Sequence, residues 1–298
     1  MPVIFLALLS MICAAANDFV FKLYAGRGAS VGAYLAVIGV VWAGVFTTCL
    51  PSLEYLLDYK TVFWGIISGV FSVLSNILFV KALGKEDVGV CATIYRLNLV
   101  PAALLAFVLF REPATVLRLT AIAAGVTAIL LFSWPAAIRH GRTKPTGWPA
   151  RKVVSKPLIS VTILLVILAS FLRAGMGLSY KAGLLNGANE YGLLAISGFI
   201  WIAGGMICHF VVDREKWRIP LSVLTYGGLS GTLVCGIALF MVLALKHGDA
   251  SLVLPITQMS FALTALAGIV LMKEPLTARK FMGVSLGIFC ILLMGVNR

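Results

Sequence analysis

The sequence is a succession of apolar runs, each about twenty residues long and separated by short polar loops. A bilayer core is crossed by about 20 apolar residues in a helix, whereas a transmembrane strand needs about ten residues of alternating polarity. These runs are continuous, so they predict an all-α membrane protein with ten transmembrane helices. We place the helices at residues 3–23, 31–50, 61–83, 89–110, 116–134, 157–181, 190–212, 222–245, 250–272 and 278–296.

Composition excludes the other broad classes of protein. Hydrophobic residues make up 61% of the chain and charged residues 12%, against about 45–50% and 25% in soluble domains. A soluble enzyme, a disulfide-rich secreted scaffold and a disordered chain are therefore excluded. The first run contains Asn17 and Asp18 and lacks a preceding basic segment, so we expect a retained helix rather than a signal peptide.

The net charge of +13 has a membrane explanation. The basic residues lie mostly in loops, where they act as topology signals and contact lipid headgroups, so no nucleic-acid partner is expected. Most of them fall on the side of the longest loop, which predicts a multi-pass protein of the bacterial inner (plasma) membrane with that loop in the cytoplasm and both termini outside. The scattered cysteines and histidines predict no disulfide, metal site or cofactor.

An internal repeat relates the two halves of the chain. Trp42 recurs as Trp201, and the Glu-Pro pair at 112–113 recurs at 274–275. The spacing between the Glu-Pro pairs is slightly longer than the spacing between the tryptophans, and the difference in length lies in one loop. Five helices in each half form an odd number, so corresponding helices must cross in opposite directions, as in inverted repeats that operate by alternating access around a central cavity. The predicted domains are a first repeat at 1–134, a basic Pro-containing linker at 135–156 and a second repeat at 157–298.

Two short segments give the chain a resemblance to a known family. They are Phe110-Arg111-Glu112-Pro113 leading to Gly125, and Met272-Lys273-Glu274-Pro275 leading to Gly287. In this pattern the chain resembles the EamA family of the drug/metabolite transporter superfamily. The resemblance implies a cavity lined by the first, third, fourth, sixth, eighth and ninth helices, and export or exchange of small metabolites. Some eukaryotic relatives keep their termini in the cytosol, so the resemblance favours the opposite orientation to the charge count.

Polar residues inside apolar runs are the candidate substrate-binding residues, because burying an ionisable group in a bilayer costs at least about 2.5–3.5 kcal/mol. Arg96 and Arg173 lie deep in the fourth and sixth runs, and Asp18 lies in the first. The spacing that relates Glu112 to Glu274 also relates Arg96 to Gln258, so we expect Arg96 to anchor a substrate anion with Gln258 completing the site. The internal alternative is an ion pair with Asp18. Further candidates are Asn17, Asn76, Tyr95 and Tyr180.

Other residues at the ends of runs have two interpretations each. Lys22 and Lys181 keep the same spacing as Trp42 and Trp201, so they either lie at opposite mouths of the pathway or extend to the headgroups. Glu112 and Glu274 are expected to cap helix N-termini, the paired glycines of the third and eighth runs to pack helices closely, and Trp42 and Trp201 to be packing or interfacial residues. Asp18 is the candidate for proton coupling, or else an ion-pair partner or a ligand for a substrate ammonium group.

These patterns predict a secondary active transporter, exporting or exchanging a small-molecule substrate with a carboxylate or phosphate, for which an amino acid or related compound fits best. A drug exporter of the same fold is the alternative within transport, and an intramembrane enzyme is the alternative outside it. The absence of hydrolase and metalloprotease motifs disfavours an enzyme. The patterns predict the lipid bilayer as the other partner and no particular oligomeric state.

Overall fold

The structure is a computed structural model that describes residues 2–25, 30–83, 88–138, 161–213, 220–271 and 278–296. Those ranges are almost entirely helical and contain no strand. We number the α-helices α1 (Pro2–Ala25), α2 (Val31–Thr48), α3 (Tyr59–Leu83), α4 (Val88–Arg96), α5 (Leu99–Leu109), α6 (Val116–Ile138), α7 (Val161–Leu185), α8 (Glu190–Ile207), α9 (Leu221–His247), α10 (Ala250–Gln258), α11 (Ser260–Leu271) and α12 (Ala278–Val296). A π-helical turn, Cys208–Asp213, extends α8.

Each predicted apolar run coincides with helical structure. Seven stretches of the described chain are long and apolar enough to cross a membrane, and three shorter apolar helices occupy the remaining runs. Large apolar side chains also cover the exterior: Val108, Leu164 and Phe289 are all exposed. Because water would penalise such a surface and lipid would not, the chain is an integral, multi-pass membrane protein.

Two of the runs are broken near their middles, which the continuous apolar pattern did not predict. The fourth run divides at Leu97–Asn98 into α4 and α5, and the ninth divides at Met259 into α10 and α11. The two breaks occupy corresponding positions of the sequence repeat, with the same spacing as Glu112 and Glu274. In the first break Pro101 supplies part of the reason, since it lacks the N–H that a continuous helix would bond to Leu97.

The helices pack in a regular pattern of pairs. The most extensive contacts are those of α2 with α8, α3 with α7, α1 with α9, and α6 with α12. At the α2–α8 contact a Cβ on Gly39 would lie 2.6 Å from the Ile202 nitrogen, and one on Gly198 would lie 2.5 Å from the Ala43 nitrogen. Glycine is therefore required at both positions, because it lets the two backbones touch.

The structure describes only part of the region between the predicted repeats. Helix α6 continues to Ile138, past residue 135 where the predicted linker starts, and the described part of α7 begins at Val161. Apolar residues continue past Pro135 to Ile138, so the helical run does not stop at the proline. The rest of the predicted linker, 139–156, and the predicted start of the second repeat, 157–160, lie outside the described residues.

Glu112 caps a helix, as predicted, but the helix is not the one that follows it in the chain. Its carboxylate oxygens accept hydrogen bonds from the backbone nitrogens of Ala250 and Ser251, at 2.7 and 2.8 Å. These are the first two residues of α10, so the carboxylate faces the positive end of a helix from the other half of the chain. Glu274, for which the same role was expected, lies outside the described residues.

Candidate functional site

A cavity of about 190 Å³ lies between the helices of the two halves. Its walls come from α1, α2, α3, α4, α7, α8 and α9. The aromatic and apolar part of the lining consists of Phe21, Val31, Leu35, Trp42, Phe79, Val80, Met176, Trp201, Val234, Ile237, Ala238 and Met241. The smaller polar part consists of Asn17, Asp18, Ser72, Asn76, Tyr95, Arg173 and Tyr180.

The helices around the cavity differ in part from those implied by the family resemblance. The second and seventh runs, α2 and α8, also line it, whereas no described residue of α10 or α11 does. The close α2–α8 approach at Gly39 and Gly198 explains the difference, because it brings the neighbouring Trp42 and Trp201 rings to 5.4 Å between centroids. Both tryptophans pack, as expected, and they also form cavity wall, which the sequence analysis missed.

Six of the predicted site residues line this one cavity: Asn17, Asp18, Asn76, Tyr95, Arg173 and Tyr180. Neighbouring side chains hold several of them in place. The Tyr180 hydroxyl donates to Ser197 Oγ at 3.2 Å, and the Tyr95 ring stacks on Phe79 with 4.2 Å between centroids. Such contacts fix the positions of the polar groups before any ligand enters.

Asn17 is held by a chain of hydroxyl groups. The Tyr34 hydroxyl donates to Ser230 Oγ at 2.5 Å, and the Ser230 hydroxyl donates in turn to Asn17 Oδ1. Asn76 instead donates to the Ser72 carbonyl, 2.8 Å away within its own helix. The first amide therefore links α1 to α9 and α2, while the second is bonded within α3.

Arg96 and Asp18 form an ion pair across the wall of the cavity. Arg96 Nη2 donates to Asp18 Oδ2 at 3.0 Å, and the two side chains are 26% and 35% exposed. Thr264 Oγ1 donates to the same oxygen at 3.3 Å, and the Arg96 guanidinium lies 5.5 Å from the Phe261 ring centroid. This is the internal pairing that the sequence left as the alternative for Arg96. It largely compensates the Arg96 charge, and Arg96 is not among the lining residues.

Arg173 lines the cavity and forms no ion pair with any described carboxylate. Within the described chain its one hydrogen-bond contact is a weak bond from Nη1 to Met176 Sδ at 3.9 Å, and its Nε is buried without a partner. A guanidinium presents five N–H donors in a planar fork that suits carboxylate and phosphate. In the described part of the chain, the site thus contains a positive group of that shape with no carboxylate bonded to it.

Gln258 lies at the second helix break, facing the first. Its Oε1 accepts a bond of 3.4 Å from Asn98 Nδ2, and Asn98 also donates to the Tyr95 carbonyl at 2.8 Å. The two breaks are therefore in contact through their amide side chains. Gln258 does not reach the cavity lining in this arrangement, so its role in binding stays a prediction.

Lys181 is buried and bonded to backbone carbonyl groups. Its Nζ donates to the carbonyl oxygens of Leu245 and Gly248, at 2.8 and 2.7 Å, where α9 ends. A cation at a helix C-terminus is stabilised by the helix dipole. The Lys22 side chain lies outside the part of the chain whose side chains are described, and the mouth role of the two lysines stays a prediction.

Comparisons with known proteins agree with this architecture. The model of the EamA-like transporter family matches residues 160–296. Uncharacterized protein MJ1333.1 of Methanocaldococcus jannaschii is 32% identical over 98 residues, which are 32% of this chain and 72% of that protein. A solved structure described only as the crystal structure of a protein shares the fold with a TM-score of 0.78 at 12% identity, over 99% of this chain and 96% of the other. The chain belongs to the EamA-like transporter family of the drug/metabolite transporter superfamily.

Proposed function

We propose that this transporter is a secondary active carrier for a small metabolite with a carboxylate or phosphate, with an amino acid as the best fit, and that it exports or exchanges its substrate by alternating access. One observation carries the proposal. Among the described residues, Arg173 lines the cavity without an anionic partner, while the positive charge of Arg96 is already compensated by Asp18. A substrate anion that binds the Arg173 fork would supply the missing negative charge.

The remaining walls favour a substrate with both an ammonium group and an apolar part. Both described bonds to Asp18 end on Oδ2, and we assign the substrate ammonium to its other oxygen, Oδ1. Trp42, Trp201 and Phe79 supply an apolar wall for a side chain, and the amides and hydroxyls of the lining offer further polar contacts. An amino acid has all three features in one small molecule, which is why we prefer it to a simple phosphate.

Matched packing in the two halves supports an inverted repeat of five helices each, with domains at 1–134 and 157–298 and ten membrane crossings. A Cβ on Gly65 or Gly69 would lie 2.8 Å from a Cβ of Ile196 or Ile200. Their counterparts in the second half are Gly227 and Gly231, where a Cβ would contact Val37 and Val41, and these valines are the counterparts of the two isoleucines. Two pseudo-equivalent halves allow inward-open and outward-open states of similar energy.

We propose that transport is driven either by exchange of one substrate for another or by protons that bind Asp18. A coupling carboxylate that is replaced by Asn should lose accumulation against a gradient and keep counterflow. A structural partner of Arg96 should instead lose folding, or both activities together. The ion pair of 3.0 Å favours the structural or ammonium-binding role, so we expect Asp18→Asn to impair both activities.

The orientation that we propose follows the charge count, with the central linker in the cytoplasm. A cysteine introduced at residue 146 should resist a membrane-impermeant thiol reagent on intact cells and react after the membrane is permeabilised. Strong labelling on intact cells would reverse the assignment.

Ligand-induced stabilisation of the purified protein tests the substrate class. We would measure the melting temperature with L-amino acids, organic acids, inorganic phosphate and lipophilic cations, because a ligand that binds only the folded state raises it. We expect a carboxylate or phosphate compound to raise it, and Arg173→Gln to remove that rise. Counterflow of the same compound in liposomes should be saturable. Stabilisation by lipophilic cations alone would overturn the proposal in favour of a drug exporter.

A further inference from the structure

A cluster of four buried or half-buried charges lies at the turn between α9 and α10. Glu112 and Arg118 come from the first half of the chain, and Lys181 and Asp249 come from the second. Two positive and two negative charges make the cluster neutral. We call these four residues the latch.

Both latch residues of the first half, Glu112 and Arg118, form hydrogen bonds with the start of α10. Glu112 accepts the backbone N–H groups of Ala250 and Ser251, as described above. Arg118 Nη2 donates to Asp249 Oδ2 at 2.5 Å, and Arg118 Nη1 donates to Ser251 Oγ at 3.0 Å. Four bonds between the halves therefore converge on three consecutive residues.

A residue of the second half bonds the same turn. Lys181, on α7, donates to the carbonyls of Leu245 and Gly248, the last of which precedes Asp249. The turn is thus bonded both by Lys181 and by the Glu112 and Arg118 side chains. Glu112, Arg118 and Lys181 are each buried, so water does not screen these contacts as it would at a surface.

The backbone before Glu112 is arranged for this contact. Arg111 has a φ of +53°, in the left-handed region that side chains other than glycine rarely adopt. This conformation turns the chain between α5 and α6, so that the Glu112 carboxylate reaches α10 and not the start of α6. A conformation that costs free energy persists where the surrounding structure compensates for it, and such positions cluster at functional sites.

From this geometry we infer that the latch closes one face of the carrier and that it must break whenever that face opens. The inference rests on the proposed alternating-access function. Opening the face separates α10 from the first half, and the four latch bonds made by Glu112 and Arg118 join them there. Closing restores the bonds together, so the latch sets the balance between the closed and open states of this face.

Thiol labelling of the purified protein in detergent tests the inference without any substrate. Ala250 is fully buried beneath the latch, so Ala250→Cys should react slowly with a membrane-impermeant maleimide. Adding Glu112→Ala, or separately Asp249→Asn, should raise the labelling rate at residue 250 by about 10-fold, since an open face exposes it. Mass spectrometry of the peptide that contains residue 250 distinguishes this site from the native cysteines.

Lys246→Ala is the matched control. Lys246 Nζ binds Glu190 Oε1 at 2.7 Å, but Lys246 is exposed and the pair lies wholly within the second half. Its removal should leave labelling unchanged. Melting curves establish that each variant is folded, and Asp249→Asn keeps the Glu112 bonds if Glu112→Ala does not fold.

The inference would be overturned if the cysteine at residue 250 stayed protected in a folded latch variant. It would also be overturned if Lys246→Ala raised the labelling rate as much as the latch variants do. These outcomes are separable from the failure of the proposed function. A protein that binds no carboxylate or phosphate would contradict the assignment of Arg173 and leave the labelling result intact. A working amino-acid carrier with residue 250 always protected would contradict the latch alone.

Discussion

Positions that correspond in the two halves share their packing and differ in their polar groups. Gly69 and Gly231 contact Ile200 and Val41 in the same way. Yet Trp201 donates its Nε1–H to Ser72 Oγ at 3.0 Å, whereas the Trp42 Nε1 is buried and has no partner among the described residues. The position that corresponds to Ser72 is Val234. Under the proposed inverted repeat, these packing positions are therefore symmetric, while the polar groups of the cavity are not. A substrate without twofold symmetry needs only one set of ligands.

The largest expected effect comes from the most asymmetric position, Arg173, whose counterpart in the first half is Ala14. Arg173→Ala should reduce substrate affinity about 30-fold or more, since loss of one partner from a buried charge pair costs about 2–5 kcal/mol. Adding Ala14→Arg should not restore binding, because Asp18 follows one helical turn later and would neutralise the new arginine. Counterflow in liposomes measures both. Normal affinity in Arg173→Ala would contradict the assigned anchor.

The second comparison is between the two helix breaks, where Arg96 corresponds to Gln258. Arg96→Leu leaves Asp18 without its cation, and we expect a loss of about 1–3 kcal/mol of stability, reduced from the fully buried value because both side chains are partly exposed. Gln258→Leu removes one long hydrogen bond and should cost less than about 1 kcal/mol. Thermal unfolding in detergent gives the order of the two. Equal losses would show that the ion pair is not what distinguishes the breaks.

The shared packing is tested by adding a methyl group in each half. Gly69→Ala and Gly231→Ala place a Cβ 2.8 and 2.7 Å from the facing side chains, and each should cost about 1–3 kcal/mol of stability through overpacking. Gly228→Ala, which meets nothing within 4 Å, is the control and should be neutral or slightly stabilising. A large difference between the first two variants would break the proposed symmetry of the scaffold.

A substitution at residue 72 or at residue 234 would make the hydrogen bonding of Trp42 and Trp201 alike. Ser72→Ala should cost about 1–2 kcal/mol because it leaves the buried Trp201 N–H without an acceptor. Val234→Thr preserves the side-chain shape and adds a hydroxyl, which should stabilise the protein by about 0.5–1 kcal/mol by accepting from Trp42. Melting temperatures of the two variants should move in opposite directions. If Val234→Thr destabilises the protein as much as Ser72→Ala, residues 72 and 234 do not occupy equivalent positions.

The smallest effect concerns the starts of α3 and α9. Asp58 Oδ2 accepts hydrogen bonds from the Thr61 nitrogen at 3.0 Å and from the Thr61 hydroxyl at 2.7 Å. These bonds lower the pKa of Asp58. The corresponding residue before α9 is Pro220, which makes no side-chain cap. Because the folded pKa is depressed, the cap stabilises the protein above the ordinary pKa near 3.8 and is lost as pH falls through the lowered value. Asp58→Asn should remove this part of the acid sensitivity in melting curves. An unchanged pH profile would contradict it.

The sequence predicts the helices well and the pairing of charges poorly. Helices α2 and α8 begin at Val31 and Glu190, the predicted residues 31 and 190, because apolar runs and polar loops define these starts directly. Six cavity residues were found because polar side chains are costly inside apolar runs. Whether Asp18 pairs with Arg96 or Arg173 depends on how each helix is rotated, which spacing along one helix does not fix. Trp42 was missed as cavity wall because tryptophan does not stand out from the apolar residues around it.

The broken helices have a mechanical consequence. At about 1.5 Å per residue, α4 and α5 are rods of roughly 14 and 16 Å, each about half a bilayer thick. An unbroken helix transmits a tilt along its whole length, so displacement at one surface would be copied at the other. A joint at mid-depth disconnects the two ends, and one surface can then rearrange while the opposite surface remains sealed.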